Sequence, residues 1–289
     1  MSPHHQYLDQ TLGEKMIAEG HKILYNENNL LMREANFIRK RVAGRRLVNL
    51  FDVGHTNGMI VLPIILELLE EESLSKYIPI TPNKSLNQHA INNLQSYIAL
   101  SGLPKIQTEA ITHDIEITDF QTEVAQIQDA QENETVNLFV LGSSVLGNYI
   151  NPLQVLLNTY NTMRDGDYLA IIQGIYRNGS ENNWISDYNL IVAGMGNTQA
   201  VSKMIDSQAT LKVDWDDTEW IHGIKASFLA TRPTEFAGVK IEENQEIVVF
   251  RSTRFDRFQL ERDLYHIGFK LVSLSLDKGQ DNAIFFLQK

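Results

Sequence analysis

Leu47, Val48, Leu50, Phe51 and Val53 form an apolar run of strand length, and Gly54 and Gly58 bracket the turn into an apolar helix starting near Met59. Apolar runs and helical stretches then alternate. The pattern predicts strand 46–53, helix 59–73, a short strand 76–80, helix 83–100, strands 105–111 and 136–142, helix 152–163 and strand 167–174. Such alternation predicts a parallel sheet covered by helices on both faces. Ligands of such sheets sit beyond the carboxyl ends of the strands, so the loops at Gly54, Thr81, Asp114 and Gly142 are expected to face one crevice.

Ahead of the alternation, residues 6–42 read as two helices separated by the polar stretch Asn26, Glu27, Asn28 and Asn29. From about residue 180 the texture changes to a helix over 181–206 and β-rich segments at 208–214, 224–231, 235–241 and 245–252. A helix at 256–266 leads to strands 269–276 and 282–288, and the turn residues Lys278 to Asn282 between them predict an antiparallel hairpin. The expected division is a helical cap (1–45), a ligand-binding core (46–178), an inserted substrate or lid region (179–245) and the C-terminal part of the core (246–289).

At 289 residues the chain is long enough for one main domain with a sizeable insertion. No apolar run reaches the length of a membrane span, and the first residues, MSPHHQYLDQ, do not read as a secretory signal. The absence of cysteine removes disulfides, thiolate metal sites and cysteine nucleophiles. A cytoplasmic protein is the expectation. The net charge of −11 opposes nucleic-acid binding. Arg39, Lys40, Arg41, Arg45 and Arg46 read as a solvated helix end, whose cations suit the negative end of the helix dipole. The histidines show no HxxxH or HExxH spacing, so no metal site is expected.

Four segments carry a family resemblance. FDVGHTNG resembles an ELGSG cofactor loop, and KYIPI a YVPVD strand. LGSSVLGN, followed by Pro152, a helix and RDGDYLAII, resembles an LGSxxGN, helix and PGDxLLL run. NQEIVVFRSTRF, with a helix and Gly268-Phe269 after it, resembles a GExIxTExSxKY and AGF segment. In this order they resemble the histidine-specific family of S-adenosylmethionine-dependent methyltransferases, which includes the ergothioneine-pathway enzyme that methylates the α-amino group of histidine. The resemblance implies a class I methyltransferase-like (Rossmann-like) α/β fold. Its sheet would be mostly parallel and seven-stranded, with a C-terminal antiparallel hairpin and an inserted α+β substrate or lid domain.

Carried onto this chain, the family pattern places Gly54 against the amino-acid end of S-adenosylmethionine, Asp52 at the acidic strand end before it, and Asp114 with Ile115 beside the adenine. Gly58, Gly142 and Thr81 complete the expected cofactor contacts. Asn148 matches the asparagine that holds the substrate's amino and carboxylate groups, and Ser252 the serine of a C-terminal substrate clamp, with Tyr149 or Tyr176 as further candidates. Plainer readings stand beside these: Asn148 as a helix cap ahead of Pro152, Ser252 as an ordinary strand serine, and Asp114 as the cap of the turn from His113 to Glu116.

The departures bear on cofactor and substrate. His55 and Thr56 make the loop bulkier than the family pattern, and LGSSVLGN carries one residue more. Thr81 stands where a ribose-binding acid is expected, and Asn83 is a possible replacement for it. Asn29, Leu30 and Leu31 occupy the region of the family's paired tyrosines. Phe250 replaces the acid that reads an imidazole, removing a charge-assisted hydrogen bond of roughly 1.5–3 kcal/mol. The expectation is therefore an N-methyltransferase for a small amino acid or amine other than histidine. The alternative is a non-catalytic methyltransferase-fold protein that binds a partner or metabolite. Methyl transfer from a sulfonium is dominated by positioning, so no catalytic residue is required. His55 and His113 remain minor candidates for a base.

Overall fold

The computed structural model describes residues 22–44, 46–54, 57–127, 135–142, 144–177, 179, 181, 185, 210–218, 221–236 and 239–289. The elements in chain order are α1 (Lys22–Val42), β1 (Leu47–Val53), α2 (Leu62–Glu70), β2 (Leu74–Thr81), α3 (Lys84–Leu100), β3 (Gln107–Thr108), β4 (Ile111–Thr112), α4 (Gln121–Ile127) and β5 (Thr135–Leu141). A 3-10 turn (Val145–Asn148), α5 (Pro152–Thr162) and β6 (Tyr168–Gly174) follow. Then come β7 (Lys212–Thr218), β8 (Ile221–Leu229), β9 (Thr234–Phe236), β10 (Val239–Ile241), β11 (Glu246–Arg254), α6 (Arg257–Ile267), β12 (Lys270–Leu276) and β13 (Asn282–Gln288).

The main sheet runs β12-β13-β6-β5-β1-β2-β3, with β4 also on β2. Its members from β6 to β4 pair in parallel, whereas β13 is antiparallel to both β6 and β12. This is the expected class I methyltransferase-like α/β arrangement, hairpin included. β1 and β5 are buried along nearly their whole length, because helices cover both faces. One core joins α1 and α2 to one face through Leu31, Ile38, Ile64 and Leu138; the other joins α5 and α6 to the opposite face through Phe51, Phe139, Leu156 and Leu264.

The expected strand 105–111 is two strands, bringing the described sheet to eight. Lys76 pairs with Gln107 and Ile80 with Ile111, so the register is unchanged across the gap. The break lies at Pro79. Tyr77 and Thr81 direct their carbonyls to Glu109 and His113, so Pro79 faces the same way and has no N–H to offer the ladder.

The polar stretch 26–29 lies inside a continuous α1 rather than between two helices. Glu27 and Asn28 are buried in line with Leu31, Ala35, Ile38 and Val42, so the helical spacing continues through residues whose polarity hides it. The first of the two expected helices lies largely outside the described residues. α1 ends in Arg39, Lys40 and Arg41, and Arg39 meets Glu71 at 3.3 Å. The region after β6 supplies an antiparallel three-stranded sheet, β11-β8-β7, and the β9–β10 hairpin. The helix expected over 181–206 falls almost wholly outside the described residues.

Candidate functional site

β1 delivers Asp52 and then Gly54 to the carboxyl edge of the sheet. Asp52 is fully buried and accepts a hydrogen bond from the Tyr77 hydroxyl at 2.8 Å, while its other oxygen has no hydrogen-bond partner among the described residues. Burial pushes its carboxyl up to about 7, against the lowering effect of the Tyr77 bond. Burial and the adjoining Asp52 raise the Tyr77 phenol in turn.

Gly54 has a left-handed φ of 77°, and its N–H reaches the Ile80 carbonyl at 2.8 Å. A Cβ there would lie 2.6 Å from the Tyr149 hydroxyl and 3.0 Å from Val145 Cγ2. The glycine is thus required by the turn after β5, which closes directly over the β1 loop. His55 and Thr56 lie outside the described residues. Gly58, at φ 70°, packs against the Ala90 carbonyl of α3 and the Tyr77 hydroxyl, and Gly142 packs against Ile60.

At the tip of β2, Thr81 is buried and its hydroxyl donates to the Asn83 carbonyl at 2.9 Å while accepting the Asn83 N–H at 3.2 Å. Asn83 caps α3, its side-chain oxygen taking the Ser85 N–H and hydroxyl at 2.9 and 2.7 Å. Both oxygens expected near a ribose are therefore engaged in starting a helix. Asp114 Oδ1 accepts the Glu116 N–H at 3.1 Å, the turn-capping geometry, and Ile115 is buried in the core. Burial raises the Tyr149 phenol, as do the charges of Asp114 and Glu116, so the ring that contacts Gly54 also feels the Asp114 carboxylate. Both ring nitrogens of His113 are engaged, Nδ1 with Glu123 and Nε2 with Thr118, each at 3.1 Å.

Asn148 ends the 3-10 turn and is exposed. The α5 cap is Asn151, whose side chain accepts the Gln154 N–H at 3.2 Å; the helix-cap reading of Asn148 belongs to that neighbour. Gly147 packs tightly against the Thr253 backbone, so the turn carrying Asn148 abuts the strand carrying Ser252. In the small sheet Trp215, Ile224 and Ser252 stand opposite one another, as do Val213, Ala226 and Phe250, which puts Trp215, Ser252 and Phe250 on one face. Ser252 is buried, and Phe250, Tyr176 and Trp215 each pack against the cluster of Val213, Ile224 and Ala226. The Tyr176 ring stacks on His222 at 4.1 Å and on Trp215 at 5.8 Å, and its hydroxyl donates to Glu181 at 3.0 Å.

Three neighbours escaped the sequence reading. Ser144, in left-handed backbone at φ 53°, accepts the Gly174 N–H at 2.9 Å and donates to the Glu27 carboxylate. Arg254 is fully buried with its guanidinium in the space a Cβ of Gly174 would occupy. Glu27 and Arg254 carry no sequence signal, because an acid in an Asn-rich stretch and an arginine in a strand read as solvated. Among the described residues no group of three His, Asp or Glu side chains is placed to hold a metal ion. No described helix is long and apolar enough to cross a membrane.

The family model described as histidine-specific, SAM-dependent methyltransferase matches residues 23–289. The chain belongs to this family. It is an S-adenosylmethionine-dependent methyltransferase by family, and the fold agrees. No curated protein matches it in sequence. Among solved structures it is similar to an S-adenosylmethionine-dependent methyltransferase from Clostridium acetobutylicum, with 9% identity, 91% of this chain and 90% of the other covered, and a TM-score of 0.45. It is similar also to the 1,6-didemethyltoxoflavin-N1-methyltransferase of Burkholderia thailandensis, with 10% identity, 100% and 91% coverage and a TM-score of 0.46. A third is CalS10, an amino pentose methyltransferase from Micromonospora echinaspora, with 10% identity, 91% and 92% coverage and a TM-score of 0.44.

Proposed function

We propose that this chain is an N-methyltransferase acting on the amino group of a small amino acid or amine other than histidine. The observation that carries the reading is the convergence at Gly54. The β1 loop, the turn bearing Tyr149 and Asn148, and the strand bearing Ser252 and Phe250 pack in succession at one edge of the sheet.

S-adenosylmethionine, when bound, supplies a methyl group already activated on a sulfonium. The fit of this chain to that molecule is uneven. The space beside the Gly54 Cα is taken by the Tyr149 hydroxyl and Val145, which a bound cofactor would have to displace, whereas Asp114 retains a second carboxylate oxygen beyond the turn it caps. On the ribose side Thr81 stands where an acid is expected, and both Thr81 and Asn83 are spent on the start of α3. Gly54 would hold the amino-acid end and Asp114 with Ile115 the adenine, with a ribose held more weakly than an acidic side chain would hold it.

The protein's own task is positioning. Asn148 is suited to hold polar ends of a substrate, Ser252 to assist, and Phe250 with Trp215 and Tyr176 to receive an apolar or aromatic part. Phe250 cannot accept a hydrogen bond from imidazole, which sets histidine aside. A screen of free amino acids and arylalkylamines, read by homocysteine release, tests the reading. Turnover of an aromatic or apolar amine supports it; histidine as the preferred substrate, or no turnover with any amine, overturns it.

A further inference from the structure

The buried carboxyl of Glu27 lies near the buried cation of Arg254, yet only one of its two oxygens has a hydrogen-bond partner among the described residues. α1 sends it to the loop after β5, where the Ser144 hydroxyl donates to Oε1 and Oε2 has no hydrogen-bond partner among the described residues. The side chain is fully buried. Burying an ionisable carboxyl with half its acceptor capacity unused is costly, and the charge of Arg254 and the Ser144 bond offset only part of that cost, since burial still leaves the carboxyl raised. Ser144 is fixed from two further sides, through its N–H to the Ile172 carbonyl at 3.0 Å and through the Gly174 N–H onto its oxygen. A rigid, backbone-anchored hydroxyl therefore aims one oxygen and leaves the other without a hydrogen-bond partner among the described residues.

We propose that Glu27 Oε2 is the receptor for the substrate's amino group, taking a primary ammonium and accepting one of its protons. The inference rests on the reading of the chain as an amine methyltransferase. It adds a contact from α1, in the region where the family's paired tyrosines are missing. The loop it serves is the one that closes on Gly54 through Val145 and Tyr149. In the proton step a substrate N–H bond breaks with its electron pair left on nitrogen, and an O–H bond forms at Oε2. The ammonium and carboxylate charges cancel, and the amine is left neutral with a lone pair for attack.

The surrounding charges tune rather than pre-empt this step. Arg254 of β11 draws the carboxyl down and Asp277, after β12, draws it up, with burial the larger effect; the group titrates at about 7, where a carboxylate can hold an ammonium or take its proton.

Calorimetric titration of wild type and Glu27→Gln with phenethylamine and with 2-phenylethanol, with and without S-adenosylhomocysteine, tests the proposal. The substitution is expected to weaken the amine by roughly 10- to 100-fold and leave the uncharged alcohol within about twofold. Equal changes for both probes, or unaltered amine affinity, overturn it, as does a wild type that does not prefer the amine. Ser144→Ala provides a second arm should Glu27→Gln fail to fold. Loss of the Ser144 bond raises the carboxyl further, so the pH at which amine affinity is half-maximal should move up, and an unmoved profile overturns the proposal. An amine preference without S-adenosylhomocysteine binding would sink the methyltransferase reading alone. S-adenosylhomocysteine binding without an amine preference would sink this inference alone.

Discussion

Replacing Asp52 by Asn should flatten the pH dependence of stability. The Asp52 carboxyl is fully buried beneath Tyr77 and is raised from 3.8 to about 7. A folded-state value above the unfolded one means that the native protein holds the proton more tightly, so the stabilisation is complete below pH 3.8 and is lost as pH rises through about 7. At about 1.4 kcal/mol per unit the full effect is roughly 4 kcal/mol, of which about 2.5 kcal/mol falls between pH 5 and 8. Asparagine can still accept the Tyr77 hydroxyl, but its amide meets the unpartnered side of the pocket at a cost of about 1–3 kcal/mol. The slope therefore carries the test rather than the absolute stability. Urea unfolding of both proteins at intervals from pH 5 to 8 should show the wild type losing about 2.5 kcal/mol more than Asp52→Asn across that range. Slopes agreeing within about 1 kcal/mol would refute the buried-acid argument.

Gly54→Ala forces a side chain into left-handed backbone and onto the Tyr149 hydroxyl; it should destabilise by about 1–3 kcal/mol and abolish S-adenosylhomocysteine binding, both measurable by thermal shift. Gly174→Ala drives a methyl group into the Arg254 guanidinium, and the pair Gly174→Ala with Arg254→Met should be more stable in urea than Gly174→Ala alone. Arg254→Ala, which removes a fully buried cation near Glu27, should cost about 3–5 kcal/mol in the same assay. Phe250→Glu restores an acceptor for imidazole and should raise kcat/KM for histidine relative to phenylalanine by about tenfold or more; an unchanged ratio would remove Phe250 from substrate selection.

The alternation of apolar runs from Leu47 to Gly174 was enough to place the parallel strands, because strands buried on both faces are apolar throughout. The terminal hairpin was equally legible from its turn residues. Polar residues that the fold buries were not. Glu27 and Asn28 read as a helix break, yet α1 runs through them because Leu31, Ala35 and Ile38 continue the same face. Pro79 was visible, but its effect depends on which neighbour its missing N–H would have faced. α4 has only Val124 and Ile127 to mark its buried side, too short a period to recognise. At the site, family motifs located Gly54, Asn148 and Ser252 near one another, whereas the engagement of Thr81 and Asn83 in the α3 cap is a matter of side-chain direction that spacing does not encode.

Calorimetric titration of the wild-type protein with S-adenosylmethionine and S-adenosylhomocysteine tests the methyltransferase reading at its base, since that reading depends on the cofactor docking with its amino-acid end at Gly54 and its adenine at Asp114. One site with micromolar affinity for either ligand, lost in Gly54→Ala, is expected. Absence of binding to the wild type, or binding that Gly54→Ala leaves intact, would contradict it.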